Sequence, residues 1–168
     1  VLTTREVLLL LDQLDGTMGL VVQLLYGTGM RVMECLRLRV QDVDFDRHEI
    51  TIREGKGNKD RVTMLPTLLE APLRAHLTKV KAMHELDLAT GKGDVELPSA
   101  FDRKSPGAAK VWSWQWVFPS KLFSVDPRSG VVRRHHLHPE SVEKAIRMAA
   151  RRIDLPKRVT PHTLRHSF

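Results

Sequence analysis

Two arginines lie close to predicted helix starts, a setting that suits chemistry on a phosphate group. Arg31 follows the Gly-Thr-Gly turn at 27–29, and Arg165 lies in the His-Thr-Leu-Arg-His segment at 162–166. The first turn of a helix offers free N–H groups and the positive end of the helix dipole, and an arginine adds a planar fork that grips two phosphate oxygens. The two arginines could converge on one phosphate, although each taken alone is better explained as an exposed or ion-paired helix arginine.

A short turn at 54–61, Glu-Gly-Lys-Gly-Asn-Lys-Asp-Arg, places several cations at the end of a predicted strand. It does not match the Gly-x-x-x-x-Gly-Lys-Ser/Thr loop of nucleotide hydrolases. A lysine that projects from such a hairpin, Lys56 or Lys59, can reach a groove or donate a proton. An ordinary exposed polar hairpin explains the same residues.

The histidines give weak support for a metal site. His162 and His166 have the spacing of zinc-binding helices, but position 163 is threonine, where those helices carry a general-base glutamate. Three histidines within 135–138 have no evident fourth ligand. The single cysteine, Cys35, excludes an internal disulfide and a multi-cysteine zinc site, and it fits a reducing cytoplasmic setting. We therefore expect no metal and no cofactor.

The positive charge of the chain is concentrated in its last part. The 168 residues carry a formal net charge of +7, with 42% hydrophobic and 28% charged residues, a composition typical of one globular domain. No apolar run approaches the roughly 20 residues of a membrane-spanning helix. Residues 131–168 hold nine lysines and arginines against three acidic residues. Such a basic face suits a phosphate backbone or an anionic membrane, and a merely solvated face is the plainer alternative.

The elements that must position these residues are predicted to form a mainly helical α+β domain. Thr3 and Glu6 have capping-box spacing, which starts a first helix that Gly16 would end. After two further apolar helices the hydrophobic period changes to that of strands. The predicted elements are helices at 3–15, 18–26 and 30–36, a three-stranded antiparallel sheet from 43–45, 49–52 and 61–65, and a long helix at 67–90.

The second half of the chain opens with a segment at 91–120 that is rich in glycine, proline and serine and holds all three tryptophans. A short helix is predicted near 106–111 and a hairpin at 121–134. Pro139 starts an amphipathic helix, and Thr160 caps the last one, with a proline at its first position. This last helix runs for only about two turns before the sequence stops, so we expect a truncated domain.

Three segments together resemble the tyrosine recombinase family, which is phage-integrase-like. Residues 28–38 read Thr-Gly-Met-Arg-Val-Met-Glu-Cys-Leu-Arg-Leu, residues 55–61 read Gly-Lys-Gly-Asn-Lys-Asp-Arg, and residues 160–168 read Thr-Pro-His-Thr-Leu-Arg-His-Ser-Phe. They match the first box, the hairpin and the second box of the family, in its order and at compatible spacing. The resemblance spans nearly the whole chain and implies the catalytic core of that family.

A narrower resemblance lies in residues 91–136, which look like the insertion of integron integrases. The segment holds Trp-Ser-Trp-Gln-Trp at 112–116 and Arg-Arg-His-His at 133–136. That class inserts and excises gene cassettes and acts on folded single-stranded sites with extrahelical bases. Unstacked bases stack on aromatic faces, so tryptophans make physical sense there. For each tryptophan taken alone, a small core that fastens the insertion to the body is an equally good explanation.

The resemblance implies attack by a tyrosine on a DNA phosphate, giving a 3′-phosphotyrosine and a free 5′-hydroxyl without a metal. Arg31 and Arg165 match the arginines that hold the scissile phosphate. Lys56 matches the general acid for the leaving 5′-oxygen, with Lys59 as the rival assignment. Such roles supply the charge stabilisation and proton transfer that phosphoryl transfer needs.

Further site residues follow from the same resemblance. His162 matches the family's histidine three residues before the second arginine, with an acid–base or phosphate-binding role. Glu34 matches an acidic residue that positions the first arginine. We expect additional nucleic-acid contacts from cationic and aromatic residues of the hairpin and the insertion. These are Lys59, Arg61, Trp112, Trp114, Trp116, Arg133, Arg134, His135 and His136.

The sequence departs from the family pattern in what it lacks. The nucleophilic tyrosine, a second His or Trp and the amino-terminal DNA-clamping domain have no match, and the only tyrosine, Tyr26, precedes the first box and is predicted to lie in the core. We therefore expect residues 1–168 to be a partial catalytic domain, with its insertion at about 91–136, that binds DNA and does not cleave it alone.

Partners and competing functions follow from these expectations. The whole enzyme is expected to assemble as a tetramer on DNA, in the bacterial cytoplasm near the nucleoid, without a membrane partner. A non-catalytic nucleic-acid-binding module on the same fold is the first alternative. A metal-dependent nuclease is the second, and the lack of an acidic ligand cluster disfavours it.

Overall fold

The computed structural model describes residues 1–53, 57, 59–98, 101–105 and 107–168. Helices and small antiparallel sheets follow one another along this part of the chain, which confirms the predicted mainly helical α+β class. The helices are α1 (Thr4–Asp12), α2 (Gly16–Thr28), α3 (Val32–Leu36), α4 (Thr67–Ala89), α5 (Phe101–Lys104), α6 (Pro139–Arg152) and α7 (Pro161–Ser167), and the strands are β1 (Val43–Asp44), β2 (Glu49–Ile52), β3 (Arg61–Met64), β4 (Pro119–Val125) and β5 (Val132–His136).

Local capping signals set the start of α1, but its end differs from the prediction. The hydroxyl of Thr3 accepts the backbone N–H of Glu6, and the Glu6 carboxylate accepts the backbone N–H of Thr3. The helix stops at Asp12, and Gly16 begins α2 instead of ending α1. The physical reason is the backbone of Gly16, whose φ of +57° lets the chain turn between the two helices.

The strands β1, β2 and β3 form the predicted antiparallel sheet, in that order. Ile50 on β2 pairs with Val43 on one side and Thr63 on the other, and the last pair joins Ile52 to Arg61. Both isoleucines are buried, because alternate side chains of β2 face the core. Ile52 and Arg61 therefore form the pair at the loop end of the β2–β3 hairpin.

Residues 91–136 form a small unit of turns and one hairpin. In place of the predicted helix near 106–111, the structure has a 3-10 turn at Ala108–Lys110, and residue 106 lies outside the described residues. Gly107 has a φ of +90°, which interrupts a regular helix at this point. The strands β4 and β5 pair antiparallel, which confirms the predicted hairpin.

The main core surrounds α2, and the last two helices close it. Val142, Ile146 and Ala149 form the buried stripe of α6, as its amphipathic pattern predicted. Leu164 of α7 is fully buried in the same core, and Thr160 caps this helix. Among the described residues, no helix is long and apolar enough to cross a membrane.

Candidate active site

A buried carboxylate, that of Glu34, binds two arginines from different elements. Its Oε2 accepts the backbone N–H of Arg31 at 2.8 Å, and its Oε1 accepts Nη1 of Arg31 at 3.1 Å. Nη1 and Nη2 of Arg61, the first residue of β3, donate to the two carboxylate oxygens at 2.8 and 2.9 Å. We call this trio the Glu34 clamp. It joins the start of α3 to the loop end of the β2–β3 hairpin.

The Glu34 clamp keeps its carboxylate ionised. Burial by itself raises the pKa of Glu34, because only 9% of the side chain is exposed. The hydrogen bonds from Arg61 and from the backbone and side chain of Arg31 outweigh burial and lower the pKa to about 2. In return, the bonds to Glu34 raise the pKa of Arg61. The clamp is therefore an ion-paired unit over the whole neutral range.

Helix α7 carries the second predicted arginine and two histidines. His162 and His166 are exposed, and their Nε2 atoms lie 2.7 Å apart, so the N–H of one ring donates a hydrogen bond to the other ring. Their rings are nearly perpendicular, with an interplanar angle of 85°. Arg165 is half-buried, and within the described residues its guanidinium has no hydrogen-bond or ion-pair partner. A charged group without a protein partner is available for an anionic ligand.

The end of α7 lies beside the turn that leads into Arg31. Gly29 ends α2 in the left-handed conformation, with a φ of +68°. A β carbon at position 29 would lie 3.1 Å from Cδ1 of Phe168, so that ring rests against the turn. Arg165 lies one helical turn before Phe168. The two arginine-bearing elements are therefore neighbours in space.

The predicted lysines, Lys56 and Lys59, lie in the sequence between β2 and β3. Lys56 lies outside the described residues, and its role stays a prediction. Lys59 is described and exposed. Arg61, which the sequence also assigned to nucleic acid, has both terminal nitrogens engaged by Glu34.

The three tryptophans differ in their surroundings. Trp116 is 6% exposed and packs with Val95 and Leu97 in a second small core. Trp114 is half-buried against that core, and Trp112 is half-buried against the main core. The contacts of Trp116 match the small-core explanation, whereas Trp112 and Trp114 keep part of their surface open.

The basic residues of β5 are largely engaged with the protein itself. Arg134 donates from Nε and Nη2 to the two carboxylate oxygens of Asp87, both at 2.9 Å. Arg133 forms an ion pair with Asp126 at 3.4 Å. His135 is exposed, whereas burial of the His136 ring lowers its pKa to about 4.

A model of the phage integrase family matches residues 1–168. The chain belongs to this family, the tyrosine recombinases. It is 50% identical over 168 residues to proteins named integrase/recombinase from Escherichia coli and Pseudomonas aeruginosa, covering all of this chain and 50% of each relative. A tyrosine recombinase XerA from Thermococcus onnurineus is 32% identical over 170 residues, covering 99% of this chain and 46% of that protein.

Solved structures of tyrosine recombinases share the fold. A crystal structure of XerA recombinase has a TM-score of 0.62 and 26% identity, covering 99% of this chain and 48% of that one. The XerH site-specific recombinase bound to its difH substrate has a TM-score of 0.60 at 20% identity, with 99% of this chain and 40% of that chain covered, which shows likeness of fold. The chain thus spans about half the length of the relatives it matches.

Sequence reasoning missed several residues that this phage integrase family chain uses around its site. Asp42 and Arg53 bind each other where β2 ends, and Arg39 contacts both Asp42 and the ring of Trp116. The spacing of Arg39 and Asp42, which allows a side-chain cap three residues apart, was the available signal. Among the described residues, no group of three or more His, Cys, Asp and Glu side chains could hold a metal ion.

Proposed function

We propose that this chain is part of the catalytic domain of a site-specific tyrosine recombinase, which breaks and rejoins DNA strands through a 3′-phosphotyrosine. The observation that carries the proposal is the Glu34 clamp, which holds Arg31 at the start of α3 beside the helix of Arg165. An ion-paired carboxylate fixes the direction of a guanidinium while most of its donors stay free. That is the preorganisation that phosphoryl transfer requires.

Each residue has a part in that reaction. Arg31 and Arg165 bind the non-bridging oxygens of the scissile phosphate and stabilise the charge that develops there. His162 binds the phosphate or moves a proton, and its Nε2 shares a hydrogen bond with Nε2 of His166. Lys56, or in its place Lys59, gives a proton to the leaving 5′-oxygen. The tyrosine nucleophile comes from outside residues 1–168, and no metal takes part.

The first prediction tests whether the two arginines meet on one phosphate. Inorganic phosphate titrated into the chain is expected to shift the Nε–H NMR signals of Arg31 and Arg165 with the same midpoint. Replacing Arg31 by Lys is expected to weaken binding about tenfold, because lysine lacks the bidentate fork. The signal of exposed Arg5, on α1, serves as the control and should stay in place. Different midpoints for Arg31 and Arg165 would contradict a shared site.

DNA beyond the reacting phosphate is proposed to lie along a basic groove between α6 and the start of α7. The groove has a volume of about 370 Å³. Its arginines are exposed and have no ion-pair partner within the described residues, so they can face a phosphate backbone. The basic residues that line it are Arg147, Arg151, Lys157 and Arg158.

The second prediction concerns the salt dependence of DNA binding. Replacing Arg147, Arg151 and Arg158 together by Ala is expected to make the negative slope of log K against log salt less steep by about 2 to 3, since each lost phosphate contact removes about one unit. Fluorescence anisotropy with a labelled duplex at several salt concentrations measures the slope. Lys81→Ala, on the exposed face of α4, is the matched control. An unchanged slope in the triple variant would place the DNA on another face.

We also propose the finer assignment of residues 91–136 as an integron-integrase insertion that binds folded single-stranded cassette sites. The support is the sequence resemblance and the aromatic surface that Trp112 and Trp114 leave open. The XerH recombinase was solved on DNA. By that likeness we propose that the whole protein also assembles on DNA, as a tetramer, in the bacterial cytoplasm near the nucleoid.

The third prediction separates base stacking from packing. Trp114→Ala is expected to weaken binding to a hairpin with extrahelical bases about tenfold and to leave duplex binding unchanged, because stacking on one base is worth roughly 1 to 3 kcal/mol. Trp116→Ala is the control, and it should affect both DNAs equally because the ring is buried. Equal losses for Trp114→Ala on both DNAs would reject the integron assignment of this residue.

A further inference from the structure

Two arginine side chains share a single carboxylate at the start of α3, and they share it unequally. Arg61 donates to both oxygens of Glu34, at 2.8 and 2.9 Å. The side chain of Arg31 donates through Nη1 alone, to Oε1 at 3.1 Å. The Glu34 carboxylate is thus bound more completely by the Arg61 guanidinium than by that of Arg31.

The Arg61 guanidinium reaches Glu34 because the sheet fixes the backbone that carries it. Arg61 is the first residue of β3 and pairs with Ile52 on β2, whose side chain is buried in the main core. Alternation along a strand then fixes the side of the sheet on which the Arg61 side chain lies. The bond joins residues 27 apart in sequence, so it is a tertiary contact between β3 and α3.

The remaining donors of Arg31 are open to a ligand. Its Nε and Nη2 have no protein partner within the part of the chain that the structure describes. Its side chain is 41% exposed, whereas that of Glu34 is 9% exposed. A planar guanidinium with one nitrogen paired can still give two parallel hydrogen bonds to an oxyanion. Arg31 therefore keeps the geometry that a phosphate needs while it is paired with Glu34.

The charges of the Glu34 clamp decide how strongly an anion is attracted to that fork. Glu34 carries one negative charge at neutral pH, because its pKa is about 2, and each arginine carries one positive charge. The net charge is +1 for the trio and zero for Arg31 and Glu34 alone. An uncompensated carboxylate would cancel much of the attraction between Arg31 and a phosphate. It would also accept a second bond from Arg31 and close the fork.

We propose that Arg61 is a positioning residue that compensates the charge of Glu34 and so keeps Arg31 positive and open toward a phosphate. The proposal rests on the proposed function, in which Arg31 binds the scissile phosphate. Arg61 acts through Glu34 and touches no reacting atom, a role that differs from the direct DNA contact predicted from the sequence. Glu34 alone would orient Arg31 and neutralise it, whereas Glu34 with Arg61 orients Arg31 and leaves its charge effective.

Phosphate titration of charge variants tests the proposal on the full chain, with the Nε–H NMR signal of Arg165 as the probe. Arg61→Gln removes the compensating charge and is expected to weaken the binding of inorganic phosphate about tenfold. Arg61→Lys keeps the charge on a single-point donor and is expected to stay within about threefold of wild type. Wild-type affinity in Arg61→Gln would overturn the proposal.

Removal of both charges separates compensation from a merely structural role. Arg61→Gln combined with Glu34→Gln removes one positive and one negative charge, which returns the site to +1. Compensation predicts that this double variant binds phosphate about tenfold more tightly than Arg61→Gln, because no unbalanced carboxylate faces Arg31. A structural role predicts no recovery, since the double variant has lost still more of the Glu34 clamp. Affinity no better than that of Arg61→Gln would overturn the proposal.

Stability and overall charge are controlled separately. Urea denaturation of each variant measures its structural cost, and we expect stability and phosphate affinity to rank the variants differently. Arg47→Gln is the matched control and should keep the wild-type affinity, because Arg47 is also paired with a carboxylate, that of Asp44, but in the β1–β2 turn at the other end of β2. If Arg61→Gln does not fold, a loss of more than about threefold in Arg61→Lys or in the double variant overturns the proposal.

The same titration separates this inference from the proposed function. If wild type binds phosphate and Arg61→Gln binds it equally well, the role of Arg61 is overturned and the recombinase proposal stands. If phosphate moves neither the Arg31 nor the Arg165 signal in wild type, the proposed function fails, and the role of Arg61 fails with it.

Discussion

Replacing Glu34 by Gln is expected to lower the free energy of unfolding by about 3 kcal/mol at pH 7. The carboxyl has an ordinary pKa of 4.5, which the clamp lowers to about 2 in the folded chain. A folded pKa below the unfolded value stabilises the fold above pH 4.5, and each unit of difference corresponds to about 1.4 kcal/mol. That stabilisation is lost as the pH falls from 4.5 through 2. Urea denaturation of both proteins measures the difference.

The stability difference between wild type and Glu34→Gln is also expected to depend on pH. At pH 3 the gap between wild type and Glu34→Gln should shrink to about 1 kcal/mol, because the unfolded chain is then mostly protonated at this position. Glu140→Gln, at an exposed residue of the first turn of α6, should give a small gap at both pH values. A gap for Glu34→Gln that stays constant between pH 7 and pH 3 would mean that the clamp does not depend on charge.

Replacing Arg134 by Ala is expected to cost about 3 kcal/mol of stability, since it leaves the carboxylate of Asp87 buried without its partner. The side chains of the pair are only 15% and 12% exposed. Arg134 also donates to the carbonyl oxygens of Ser120 and Lys121, so it fastens the β4–β5 hairpin to α4. Urea denaturation measures the loss.

A double variant distinguishes two roles of Arg134, pairing with Asp87 and binding a DNA phosphate. Arg134→Ala combined with Asp87→Ala should recover part of the lost stability, because no buried charge is left unpaired. The salt slope of DNA binding should match that of wild type in the double variant. Arg128→Ala, on the exposed turn of the same hairpin, is the stability control. A salt slope that falls by about one unit in the double variant would show that Arg134 binds phosphate after all.

Elements with local signals were predictable from the sequence. The cap of α1 at Thr3, the three short strands and the cap of α7 at Thr160 each depend on neighbours within a few residues. The end of α1 was not predictable, because a glycine such as Gly16, with a φ of +57°, can either end one helix or begin the next. Similarly, Gly107 with its positive φ leads into a single 3-10 turn at Ala108–Lys110 where a helix was predicted.

In the candidate site too, contacts between residues near in sequence were predictable, whereas contacts between distant residues were not. The family resemblance predicted Arg31, Glu34 and Arg165 as site residues, and the bond that the structure shows between Arg31 and Glu34 spans three residues. The partner of Arg134, Asp87, is 47 residues away on α4. An arginine that the sequence predicts to bind nucleic acid therefore forms an ion pair within the protein. A cation count cannot separate these cases, since only tertiary contacts decide which arginines remain open to a ligand.

Gly29 determines the backbone conformation of the turn between α2 and Arg31. A β carbon at position 29 would be closer to the Phe168 ring than an ordinary van der Waals contact, so the ring would have to shift by a few tenths of an ångström. A methyl group at position 29 would strain the left-handed backbone by roughly 1 kcal/mol and press on a ring whose other side is open to water. Because the Phe168 ring is exposed, it can yield by the few tenths of an ångström that this contact demands. The penalty for a side chain at position 29 therefore lies mainly in the backbone, and glycine keeps the turn into Arg31 in its left-handed conformation.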